Sequence, residues 1–213
     1  IQTLSGTNVY VSNCLFSSIS STSNGGALSC TSVTYLLIEL SSFFACKTSS
    51  NYGGAIYFEN TGSGQSVLHE VCGYDCCTTY TSGSYGQFVH IKVSNAESNK
   101  NYVNYSSFSR CMNDISNSYH TLYFYNGKFW FPSVNSSMNK FQYFPGISTW
   151  FVTASNSLTC SLSYSSFADN KATVDRCILL WTKGSKLEVK SCNILRNAQD
   201  SLDSHGTIFA YGN

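Results

Sequence analysis

Short runs of alternating apolar and polar residues follow one another along the chain, and no stretch sustains helical spacing. The runs recur as blocks. One reads Val9-Tyr10-Val11-Ser12-Asn13-Cys14-Leu15-Phe16. Its counterparts run from Leu36 to Phe43, Val67 to Tyr74, Tyr102 to Phe108, Leu158 to Phe167 and Leu187 to Ile194. A second block is Gly25-Gly26-Ala27-Leu28, repeated as Gly53-Gly54-Ala55-Ile56 and echoed at Tyr85-Gly86-Gln87-Phe88 and Gly206-Thr207-Ile208. Anchoring each repeat on the apolar residue after this phrase selects Leu28, Ile56, Phe88, Leu122, Thr149, Ile178 and Ile208. Their spacings are 28, 32, 34, 27, 29 and 30 residues.

Two or three short strands per unit of about 30 residues, stacked in a row, predict an all-β fold. The architecture expected is a right-handed parallel β-helix, a solenoid of about seven coils with residues 1–213 forming one β-helix domain. Parallel stacking puts equivalent positions of successive coils about 4.8 Å apart, so the anchors should build an internal ladder. Gly25, Gly26, Gly53, Gly54, Gly86 and Gly206 fall where each coil must turn. An antiparallel sandwich is the competing architecture, and the lack of evenly spaced Asn-Gly turns speaks against it. The segment from Phe129 to Trp150 breaks the repeat and gathers Phe129, Trp130, Phe131, Tyr143 and Trp150 with both prolines. It is expected to be a loop that packs laterally or forms an interaction surface.

Composition narrows the setting. Charged residues make up 11% of the chain and the net charge is +1, which excludes a nucleic-acid partner held by long-range attraction. Ten cysteines without zinc-ribbon spacing point to an oxidising, extracellular or cell-surface compartment. The sequons at Asn104 and Asn135 agree as candidate glycosylation sites. No membrane-spanning run or signal peptide is present, and the chain reads as a piece of a longer secreted or anchored protein. Three residues after the closing aromatic or Ile of a strand block, Cys or Asn recurs: Cys46, Cys77, Cys111, Asn170 and Asn197. Cys46, Cys77 and Cys111 would share a column, either as a disulfide with one thiol left over or as a stacked thiol ladder.

The Gly-Gly-Ala-Leu and Gly-Gly-Ala-Ile phrases, with Phe167-Ala168-Asp169-Asn170 as a Phe-x-x-Asn block, resemble polymorphic outer-membrane protein (Pmp) repeats. The cysteine-rich stretch from Leu68 to Cys76 is more similar to the Pmp-like surface proteins of trichomonad-type protists. Cys46 and Cys111 stand where the bacterial pattern has Asn. The resemblance implies a surface-exposed ectodomain with adhesion as its task, and it carries no catalytic residues.

Candidate chemistry is sparse. Asp169, Asp175 and Arg176, with Asp200, Asp203 and His205, lie in adjacent coils and offer carboxylates for a glycan-cleaving enzyme, or simply solvated turns. His69 and Glu70 near Cys72, Cys76 and Cys77 suggest a metal cluster, but alternation along a strand would point them to opposite faces. Tyr35, Tyr80, Tyr125, Trp130, Tyr143 and Trp181 are candidates for a sugar platform or a protein interface. The expected function is a non-enzymatic cell-surface β-helix for adhesion or display, without cofactor or metal. Its partners would be proteins or glycans at a cell surface, copies of itself or flanking repeats. A structural subunit of an extracellular fibre or coat and a glycan-active enzyme are the competing functions.

Overall fold

The computed structural model describes residues 2–80, 83–111, 118–152, 158–200 and 207–211. Strands within these residues form three long sheets in which every pairing is parallel and every neighbour comes from the next repeat. The first sheet has eight strands, from Gln2–Leu4 to Ile208–Tyr211. The second runs over seven, from Asn8–Ser12 to Lys186–Lys190, and the third over seven, from Leu15–Ser17 to Asn193–Leu195. The result is a parallel β-solenoid of about six turns, slightly fewer than the seven coils expected.

Each coil bends twice at residues in the left-handed region. Asn13, Leu40, Glu70, Tyr105, Ser133, Tyr164 and Ser191 turn the chain from the second sheet to the third. Ser18, Ala45, Asp75, Arg110, Met138, Asp169 and Arg196 turn it away from the third, and both sets have φ between 48° and 57°. Such a conformation costs a non-glycine residue about 1–2 kcal/mol. The stack offsets that cost by pairing the corner amides across coils: Leu40 donates to the His69 carbonyl at 3.0 Å and Ala45 to the Tyr74 carbonyl at 3.0 Å. A corner also breaks strand alternation. At Glu70 this brings the carboxylate within 3.3 Å of His69 Nε2, so the two meet rather than diverge as expected.

One buried column joins the coils through side chains. It reads Ile19, Cys46, Cys76, Cys111, Asn139, Asn170 and Asn197. Asn170 Oδ1 accepts from the Asn139 amide at 3.1 Å, and Asn197 Oδ1 from the Asn170 amide at 3.0 Å. The cysteines take the same part. Cys76 Sγ accepts from the Cys46 amide at 3.4 Å and donates to the Phe43 carbonyl at 3.5 Å, as Asn170 Nδ2 donates to the Ser136 carbonyl at 2.8 Å. The member between Cys46 and Cys111 is therefore Cys76, and the expected Cys77 belongs instead to the neighbouring position, paired with Lys47. Cys46, Cys76 and Cys111 thus lie in one column, with their thiols unjoined.

The register slips because one slot changes size. The third-sheet inward column is Phe16, Phe43, Gly73, Phe108, Ser136, Phe167 and Ile194. Gly73, not Tyr74, occupies it, and the Phe88 ring fills the space left empty: a Cβ on Gly73 would lie 2.5 Å from that ring. Phe88 therefore takes the place of Ala27 and Ala55, and the true anchor beside it is Val89. The inward anchors are Leu28, Ile56, Val89, Leu122, Ile147, Ile178 and Ile208, so Phe88 and Thr149 were misplaced. Moving the fifth anchor to Ile147 also makes a regular coil of the supposed loop. Its strands are Lys128–Pro132, Val134–Ser137, Lys140–Phe141 and Ile147–Val152. Phe129 and Phe131 are fully buried in the core and cannot belong to an exposed surface.

Candidate functional site

The tight turn into the first sheet explains where the surface aromatics gather. Gly25, Gly53 and Gly86 hold φ of 77°, 65° and 68°. Gly26 and Gly54 lie against crossing backbone, and a Cβ on Gly54 would meet the Gln87 carbonyl oxygen at 2.1 Å. Gly206 lies outside the described residues. In the next two coils the left-handed position is held by His120 (φ 56°) and Phe144 (φ 52°) instead of glycine, and their rings stack 5.1 Å apart.

The residue before each of these turns projects outward. In order these are Asn24, Tyr52, Tyr85, Tyr119 and Tyr143, and bridges Tyr52–Tyr85, Tyr85–Tyr119 and Tyr119–Tyr143 hold them in register. Tyr85 stacks on Tyr119 at 4.8 Å, and Tyr119 on Tyr143 at 4.5 Å. Beside this ladder, the first sheet turns out two further columns. One carries Tyr57, His90 and Tyr123. The other runs Glu59, Lys92, Tyr125, Trp150, Trp181 and Tyr211. Trp150 stacks on Trp181 at 4.7 Å, and Trp181 on Tyr211 at 4.9 Å.

Where the three columns meet, a groove of about 360 Å³ opens between Tyr52, Tyr57, Tyr85, Tyr123 and Tyr125, with Glu59, His90 and Lys92 in its lining. His90 sits among rings, with centroids 4.6 Å from Tyr52, 5.5 Å from Tyr57 and 5.1 Å from Tyr123. It is 4% exposed, and its Nδ1 has no hydrogen-bond partner among the described residues. Burial pushes its pKa down to about 3, so the imidazole is neutral. Burial likewise holds His120 well below the ordinary histidine value. Lys92 Nζ lies 2.8 Å from Glu59 Oε1. That ion pair, then the Tyr57 hydroxyl, which donates to the carboxylate, holds Glu59 below the usual carboxylate range. Burial first, and Glu59 second, raise the Tyr57 hydroxyl.

The residues singled out from sequence do not form one surface. Tyr143 belongs to the tyrosine ladder and Trp150 to the outer column of the first sheet. Trp130 is exposed on the second sheet, edge-to-face with Tyr102 at 5.5 Å. Asn135 is exposed on the third sheet. Asn104 is partly buried, with Oδ1 enclosed and unpartnered, which leaves Asn135 the more accessible sequon. Of the carboxylates considered for catalysis, the three among the described residues are each taken by a cation. Arg196 holds Asp169 through two bonds of 2.7 Å, Lys171 holds Asp200 at 3.0 Å, and Arg176 lies 2.9 Å from Asp175. Asp203 and His205 lie outside the described residues. Among the described residues no three His, Cys, Asp or Glu side chains are grouped to hold a metal ion.

Sequence reasoning missed Tyr52, Tyr57, Tyr85, His90, Glu59 and Lys92. The available signal was an aromatic immediately before each turn: Tyr52-Gly53, Tyr85-Gly86, Tyr119-His120 and Tyr143-Phe144. Anchoring the third coil on Phe88 hid the rest, because a one-residue slip turns every side chain of a strand to the opposite face. It pointed His90 inward.

Comparison with known proteins finds a match to the Chlamydia polymorphic membrane protein repeat over residues 13–31. This stretch runs from the corner before Leu15–Ser17, through the Gly25-Gly26 turn, to the end of Leu28–Thr31. It supports repeats of the Pmp kind in this solenoid, while the protist affinity stays an expectation. No curated protein and no solved structure matches the chain significantly.

Proposed function

We propose that the chain is a non-catalytic, extracellular or cell-surface β-solenoid that serves adhesion, with the outward aromatic columns of the first sheet as its binding face. The observation that carries this reading is their continuity. Tyrosines, histidine and tryptophans occupy consecutive coils there, whereas the outward aromatics of the third sheet stop at the single stacked pair Phe44 and Tyr74. A half-buried aromatic surface of this kind offers contact to a partner. The Pmp-type repeat at residues 13–31 supports a surface location. A net charge of +1 leaves no electrostatic reason for a nucleic-acid partner.

Two measurements test the reading. Antibodies to the chain should label intact cells of the source organism without permeabilisation, and the labelled chain should bind cultured cells saturably. Labelling confined to permeabilised cells would refute the surface role. Failure of the chain to bind any cell or extracellular matrix would refute adhesion.

A further inference from the structure

We infer that the groove between Tyr52, Tyr85 and Tyr123 is a binding site for neutral sugars, so that the adhesion proposed above is recognition of a glycan. The inference rests on that reading for its biological role and on the groove for its chemistry. The space, about 360 Å³, falls in the range of about 300–1,000 Å³ typical of small-ligand sites.

The lining decides between guests. A purely apolar molecule would strip water from Glu59, Lys92 and the tyrosine hydroxyls without replacing it, which is costly. An anion meets a carboxylate beside the single ammonium group and a neutral imidazole, so no net positive charge awaits it. A cation would have to displace Lys92 from Glu59. A pyranose satisfies all the groups together. Its C–H face lies on tyrosine rings, and its hydroxyls can donate to Glu59 and accept from Lys92 and the phenols. The tyrosine ladder continues from Tyr85 to Tyr119 and Tyr143, so a longer oligosaccharide would extend along the solenoid axis.

The test screens the full chain on an array of glucose-, galactose-, mannose- and N-acetylglucosamine-containing oligosaccharides, then titrates the strongest binder by calorimetry. At least one neutral sugar should bind. Tyr85→Ala should weaken it about tenfold, the scale of one aromatic contact. Glu59→Gln should weaken it too, while Trp130→Ala on another face should not. Where Tyr85→Ala perturbs folding by circular dichroism, Glu59→Gln decides. No sugar bound by a chain that still binds cells overturns the inference and leaves the adhesion reading standing. Sugar binding by a chain found only inside cells overturns the surface reading and leaves the site. Binding insensitive to Glu59→Gln also overturns it.

Discussion

In the third coil the pairing of large and small residues is reversed, and exchanging the two measures how tightly the core fixes it. Coils one and two set Phe16 against Ala27 and Phe43 against Ala55, whereas coil three sets Gly73 against Phe88. Phe88 is fully buried, 4.8 Å from the Phe108 ring and 5.7 Å from Phe43. Phe88→Ala should empty that space and cost about 3–5 kcal/mol. Gly73→Phe alone should cost about 3 kcal/mol or more, above most overpacked substitutions, because the new Cβ would already lie 2.5 Å from the resident ring. Gly73 lies in the strand Cys72–Tyr74 and is not among the residues of positive φ, so its backbone accepts a side chain. The double variant restores the order of coils one and two. It should come within about 1.5 kcal/mol of the parent, a favourable coupling of about 5 kcal/mol or more between the substitutions. Urea denaturation followed by far-UV circular dichroism gives all four stabilities. Costs that simply add would refute the account of why Phe88 sits where it does.

Other consequences follow from the same geometry. His90 is neutral in the fold with a pKa near 3, against 6.5 ordinarily, and His120 is displaced in the same direction. Below pH 6.5 the unfolded chain takes up protons that the fold refuses, so stability is full above pH 7 and falls toward pH 3. For His90 the loss is about 2 kcal/mol at pH 5, and urea midpoints should show less decline in His90→Phe; an equal decline would contradict the assignment. Asn170→Ala should cost about 3 kcal/mol in the same assay, since it unpairs the Asn139 amide and the Ser136 carbonyl. Cys76→Asn should be tolerated within about 1.5 kcal/mol, because the same column accepts Asn139 and Asn170. Gly54→Val drives a side chain into the backbone of Gln87 and Cys77. Hydrogen exchange should accelerate in the second and third coils and stay slow at Ile178–Lys183; uniform acceleration would contradict coil-by-coil stability.

Sequence alone determined the parallel solenoid. Ladders require like residues at like positions, and repeated phrases such as Gly25-Gly26-Ala27-Leu28 and Gly53-Gly54-Ala55-Ile56 state that requirement directly. It also located the turns, because a left-handed residue with backbone packed against it leaves Gly53 and Gly54 little alternative. Register within degenerate coils was decided by tertiary packing. A ring from one strand can fill a slot vacated on another, so Phe88 serves Gly73 across the core and no local pattern marks the exchange. From that one exchange follow Cys76 in place of Cys77 and the outward turn of His90. The groove is tertiary for the same reason. Tyr52, Tyr85 and Tyr123 belong to successive coils, far apart along the chain, and only the stacking of one coil on the next brings their rings together.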